Sequence, residues 1–226
     1  MSKFILIDNS IEDTSGHHYQ YAMYCLKAAK ELGYEPILAT NKKNIDAHNL
    51  SWKTFPVYSG TFWNHEEHNT FLTNIYSRFE KSQYKKPISL ALKIFSRFLV
   101  RKLLDKNKIN EFCINTKKLF NEINLTKNDI VFIPTSGLVE LFGIAAYAQN
   151  NSSAQNASWN FLFRRNIHTG STENYSYIYI KLRLLKKAFD LFLKMSKFNV
   201  KFYTDSEYLS KEYNMINSLK IYHFLN

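Results

Sequence analysis

Ten residues of this 226-residue chain are of types that do chemistry, and they fall where one element gives way to the next. They are Gly16, His17, His18 and Tyr19 in DTSGHHYQYA, Thr135 and Ser136 in DIVFIPTSG, Arg164, Arg165 and His168 in WNFLFRRNIHTG, and Asp205 in FYTDSEY. A helix that starts beside a glycine offers free backbone N–H groups to an anion. A guanidinium matches the geometry of a phosphate. The chemistry this set suggests is the holding of a polar or anionic ligand. Each residue also has a plainer reading: a lone glycine makes a turn, a histidine at a helix start is solvated, paired arginines form surface salt bridges, and Asp205-Ser206 caps a helix.

Other motifs narrow the choice. Neither G-x-G-x-x-G nor G-x-x-x-x-G-K-[ST] occurs, so the sequence carries no dinucleotide or nucleotide-phosphate fingerprint. In NHEEHN, His65 and His68 stand three apart without the H-E-x-x-H spacing, and no third ligand is evident; a solvated face accounts for them, and no metal is expected. His17 and His18 are expected to diverge, one toward a cleft and one into packing or solvent. Arg164 and Arg165, at the end of a strand, are expected on opposite faces of it.

The elements that must position these residues follow from hydrophobic periodicity. Strands are expected at 4–8, 36–41, 54–58, 129–134, 159–165, 201–205 and 219–225. Helices are expected from His17 to Leu32 (ended by Gly33), over a long region from 71 to 121 broken near Pro87, from 138 to 149, from 176 to 197, and over SEYLSKEYN with Ser206 as its N-cap. Alternation of this kind predicts one α/β domain over residues 1–226: a Rossmann-like, doubly wound parallel sheet with helices on both faces, plus a helical excursion around 71–121. In such sheets ligands bind beyond the carboxyl ends of the strands, where all ten residues fall. The polar stretch NNSSAQNAS (150–158) reads as a loop.

A hydrophobic content of 45% and an aromatic content of 16% exclude a disordered chain. Cys25 and Cys113 lie far apart in helical patterns and read as reduced thiols, not as a disulfide or zinc site. No apolar run approaches the ~18 residues of a membrane span, and MSKFILIDNS turns polar too soon for a signal peptide. The expectation is therefore a cytoplasmic protein. The formal charge of +11 favours anionic partners. No helix-turn-helix, RNA-recognition or finger pattern accompanies it, so nucleic acid is not expected. In KKPISLALKIFSRFLVRKLLDKNK, an apolar face of Ile88, Leu92, Phe95, Leu99 and Leu103 adjoins a cationic row of Lys93, Arg97 and Arg101. Such a segment would suit the anionic inner face of a membrane, or it packs on the sheet with its lysines solvated.

The arrangement strand–D-x-S…SGHHYQYA–helix–LGYEP–strand resembles the start of bacterial glycosyltransferases of the GT-B fold, in the large retaining family that uses nucleotide sugars. Gly16, His17, His18, Tyr19, Tyr21 and Ala22 match a recurring G-H-x-x-Y-A form of the loop that faces the cleft between its two domains. FYTDSEYLSKEYN resembles the segment near the end of that family's N-terminal domain. The resemblance implies transfer of a sugar from a nucleotide sugar, as co-substrate, to the hydroxyl of a glycan or lipid-linked acceptor, as in cell-surface polysaccharide synthesis. It implies no other cofactor. In that family the donor is held mainly by a C-terminal domain with two glutamates eight positions apart, and this chain stops at Asn226, where that domain would begin. The expectation is an acceptor-side half, inactive without its missing C-terminal domain and with no catalytic residue assigned. The alternatives are a stand-alone Rossmann-like binding or regulatory domain, or a peripheral membrane protein.

Overall fold

The computed structural model describes residues 1–44, 51–62, 105–167, 175–214, 216 and 221–223. Its strands are β1 (Lys3–Ile7), β2 (Glu35–Asn41), β3 (Lys53–Tyr58), β4 (Ile130–Ile133), β5 (Ser158–Phe163), β6 (Asn199–Thr204) and β7 (Ile221–His223). The described helices are α1 (Gly16–Glu31), α2 (Lys106–Glu122), α3 (Leu138–Asn150), α4 (Tyr175–Lys194) and α5 (Glu207–Asn214). The strands form one seven-stranded sheet in the order β3-β2-β1-β4-β5-β6-β7. Every pairing is parallel. This is a doubly wound, Rossmann-like α/β arrangement, and its strand order reverses between β1 and β4.

The short strands carry apolar residues on both faces because both are buried. On one face Ile5, Ile7, Val131, Ile133, Trp159, Phe161, Phe163 and Phe202 join a large core with α2, α3, α4 and α5. On the other, Leu6, Leu38, Phe132 and Leu162 pack under Ala22 and Leu26 of α1. The unequal division follows from right-handed crossovers: connections running outward from β1 and from β4 in opposite directions lay their helices on opposite faces. Helices α2 and α3 approach closely at Gly143, where an added Cβ would stand 2.7 Å from Phe112 Cδ1.

Local chemistry sets the ends. Gly33 adopts φ +84 just past α1, a conformation that glycine reaches without steric cost. Asp105 caps α2, accepting from the N–H groups of Asn107 and Lys108 at 2.9 and 3.3 Å. Ser206 caps α5 as expected, accepting from Leu209 N–H at 3.2 Å. At the amino edge of the sheet Asp129 accepts from the N–H groups of Lys3 and Thr126, each at 2.7 Å. Burial alone would raise its carboxyl, but these bonds hold it below the ordinary value.

Two sequence boundaries are corrected. β5 ends at Phe163, so Arg164 and Arg165 lie in the loop beyond it, and 150–158 contains a 3-10 turn over Ser152–Asn156. Of the helical excursion, only Lys106–Glu122 is described; 71–104, with the cationic row, and the NHEEHN stretch lie outside the described residues. Among the described residues no helix is long and apolar enough to cross a membrane.

Candidate functional site

The reversal of strand order opens the sheet at the carboxyl ends of β1 and β4, and a buried polar network spans that point. Asp8 and Asn9 directly follow β1. Asp8 Oδ1 accepts from Ser10 N–H at 2.9 Å, and Asp8 Oδ2 takes His18 Nδ1, in the first turn of α1, at 2.9 Å. Asn9 Nδ2 donates to Glu140 Oε1 at 3.0 Å. Glu140 Oε2 accepts the N–H of Gly137, the N-cap of α3, at 3.1 Å. A carboxylate three residues past the N-cap reaches back in this way and is favoured by the helix dipole. Asn41, at the end of β2, donates through Nδ2 to Asn9 O at 3.1 Å. Ser10 Oγ accepts from Phe62 N–H at 3.1 Å, so the loops after β1 and β3 are tied together.

The rim above this network is cationic and rich in hydrogen-bond donors. Gly16 opens α1 with φ +79. Ser15 holds the N-cap position, but its hydroxyl donates to Asp13 Oδ1 at 2.6 Å and caps nothing. That bond also holds the exposed Asp13 carboxyl below its usual range. The first turn of α1 itself contains no acidic residue and no side chain caps it; the nearby carboxylates are Asp13, bound to Ser15 N–H at 2.8 Å, and Asp8, bound to His18. Arg164 extends over the Tyr21 ring, 4.7 Å from its centroid, and its Nε lies 3.6 Å from Asp205 Oδ2. Burial raises the Tyr21 hydroxyl well above its ordinary value, so it stays protonated.

The two histidines differ as expected in burial: His17 is exposed and His18 buried, although their rings touch with centroids 4.4 Å apart. An imidazole that gives Nδ1–H to a carboxylate has, in its neutral form, Nε2 as its acceptor, and in its protonated form it repels a proton from a neighbouring ring. His17 is held below the usual histidine pKa, chiefly by the charge of His18, then by burial and by Arg164, with Asp8 opposing. A lowered value means that the unfolded chain takes this proton first as pH falls. His17 therefore weakens the fold as pH drops below its unfolded value, until it too is protonated. Histidine NMR should show His17 titrating below an ordinary imidazole. Arg164→Gln should move it part of the way back, because His18, the larger cause, remains.

Gly16, His17, His18, Arg164 and Asp205 thus converge around the first turn of α1. Tyr19 is half-buried and packs against the smaller core. Arg165 turns to a different partner, the Phe62 ring at 5.3 Å. Thr135 and Ser136 are buried at the end of β4, where Ser136 N–H donates to Leu162 O at 3.2 Å and its Oγ to Ile133 O at 3.1 Å. Ser136 therefore splices β4 to β5. His168 lies outside the described residues. Sequence reasoning missed Asn9, Glu140 and the pairing of Asp8 with His18. Glu140 carried a signal, its spacing of three from Gly137; Asn9 carried none.

Among the described residues no group of three or more His, Cys, Asp or Glu stands where a metal could be held. The arrangement can accept an anion or a polyhydroxyl ligand at the rim and hold an imidazole in a set orientation beneath it. Comparison of the chain with protein-family models, curated proteins and solved structures found no match, so its function is read from this carboxyl edge alone.

Proposed function

We propose that the chain is the acceptor-side domain of a nucleotide-sugar-dependent glycosyltransferase, which holds a saccharide or lipid-linked acceptor and completes a donor site carried mostly by a second domain. One observation carries this reading: the uncapped start of α1, His17, Arg164 and the Asp8–His18 pair meet at the point where the strand order reverses. Glycosyl transfer builds negative charge on the departing nucleotide diphosphate. Arg164 and the α1 N–H groups would stabilise that charge, and His18 Nε2 would accept a hydrogen bond from a sugar hydroxyl. The nucleotide sugar would be the co-substrate, and nothing in the scheme calls for a metal. The setting would be the cytoplasm, at the inner face of the membrane for a lipid-linked acceptor.

The test is nucleotide release from a panel of nucleotide sugars with saccharide acceptors, run on this chain alone and on the full product of its gene. Turnover is expected only where a donor-binding domain is present, and His18→Ala should lower kcat/KM about 100-fold. If no nucleotide sugar is bound or consumed by either form, the reading is wrong. A binding domain without transferase activity would then take its place.

A further inference from the structure

Arg164 reaches the rim from a loop, and a loop sets the direction of a long side chain only where its backbone is held. Here one short helix does the holding. Tyr213 of α5 donates through its hydroxyl to Arg165 O at 3.1 Å. Glu212, beside it, accepts the N–H of Ile167 through Oε1 at 3.2 Å. The Tyr213 ring stacks on Phe163, the last residue of β5, with centroids 4.7 Å apart. Just ahead of α5, Asp205 Oδ2 stands 3.6 Å from Arg164 Nε. Phe163, Arg164, Arg165 and Ile167 are thus each engaged from the stretch 205–213.

These contacts are interior. Glu212, Tyr213 and Ile167 are 5%, 4% and 1% exposed. A carboxylate is seldom taken into a protein unless it is paired or hydrogen-bonded, and Oε1 of this one serves the backbone of a loop 45 positions away. Asp205 is fixed in its turn: Thr204 Oγ1 donates to Ser206 O at 3.0 Å, and Ser206 Oγ caps α5. The consequence lies across the sheet. Tyr213 belongs to the large core, whereas Tyr21, the ring under Arg164, packs against the smaller core on the other face. With the backbone of Arg165 and Ile167 tied down, Arg164 extends over Tyr21 and Arg165 over Phe62.

We propose that Glu212 and Tyr213 are positioning residues for Arg164: from the far face of the sheet they hold the loop after β5 so that the guanidinium stands at the start of α1. What the guanidinium does there rests on the transferase reading above; where it stands does not.

The test is NMR of the full chain, read at two places. With its guanidinium over the Tyr21 ring, Arg164 should show side-chain CH2 signals displaced by the ring current, and the His17 midpoint is lowered in part by Arg164. Tyr213→Phe removes a hydroxyl and no charge. It should nevertheless move the Arg164 signals toward those of an exposed arginine. It should also raise the His17 midpoint by at least about half of the rise that Arg164→Gln produces, and raise it no further when added to Arg164→Gln. Glu212→Ala should act in the same direction. Glu212→Gln, which keeps an acceptor for Ile167 N–H, should restore most of both signals. A purely structural role would lower the melting temperature and leave both signals of the folded protein in place. Arg164 signals or a His17 midpoint at wild-type values in folded Tyr213→Phe would overturn the proposal, as would wild-type Arg164 signals already at the exposed value. Absence of turnover with every nucleotide sugar would overturn the transferase reading and leave these signals as they are.

Discussion

Glu140→Ala is expected to destabilise the protein by about 3 kcal/mol and to lower its melting temperature by roughly 10 °C. Glu140 is 1% exposed, and its two oxygens serve separate donors, the Asn9 amide and the Gly137 N–H. Truncation removes the acceptor that each of these donors uses, and losing a buried acceptor costs about 1–3 kcal/mol per donor. The carboxylate's favourable position at the positive end of α3 is lost as well. Glu140→Gln keeps one acceptor oxygen and should fall between wild type and Ala. Urea melts give the energies, and hydrogen exchange gives the location: Gly137 should lose protection in both variants. An Ala variant as stable as wild type would mean that the network across the strand reversal contributes nothing.

Trp159→Ala should cost more, about 4 kcal/mol. Trp159 is fully buried in β5, and its ring lies 5.5 Å from both Phe120 and Phe198 and 6.1 Å from Tyr147. Its Nε1 donates to Ala154 O at 2.8 Å, which holds the 3-10 turn against the sheet. Truncation opens a cavity that these rigid rings fill poorly, and it strands the Ala154 carbonyl. Trp159→Phe, which keeps most of the packing and loses the hydrogen bond, should cost about 1–2 kcal/mol. Trp159 faces the large core, away from Asp8 and His18. The His17 titration should therefore be unchanged in folded Trp159→Ala, which separates loss of stability from damage to the site.

Sugar transfer depends on Arg164 and on the histidines of α1, so Glu140→Ala, acting through Asn9, should also impair it.

The strands and helices were legible in the sequence because their periods differ and their ends carry local signals. FILI before a polar run, Gly33 after α1 and Ser206 before α5 each act through a few neighbouring residues, and the structure places those elements within about two residues of expectation. Parallel pairing was legible too wherever a helix separates two strands; β2 and β3, between which the sequence shows no helix, are parallel as well. The failures were of another kind. Strands buried on both faces read as continuous apolar runs, so nothing in DIVFIP says that Val131 and Ile133 join the large core while Phe132 joins the small one. Arg164 and Arg165 were expected to diverge because a strand alternates its side chains. They do reach different rings, Tyr21 and Phe62, but from a loop beyond the strand.

By itself, then, the sequence determined an α/β chain whose polar and basic residues gather after its strands, because periodicity and capping are local. The tertiary structure alone decided that β4 lies beside β1, which brings Glu140 to Asn9 across 131 positions. It alone decided that α1 packs on the opposite face of the sheet from α2, α3, α4 and α5. Strand order and the choice of face arise from crossover handedness and from which surfaces bury one another, and no window of neighbouring residues encodes either.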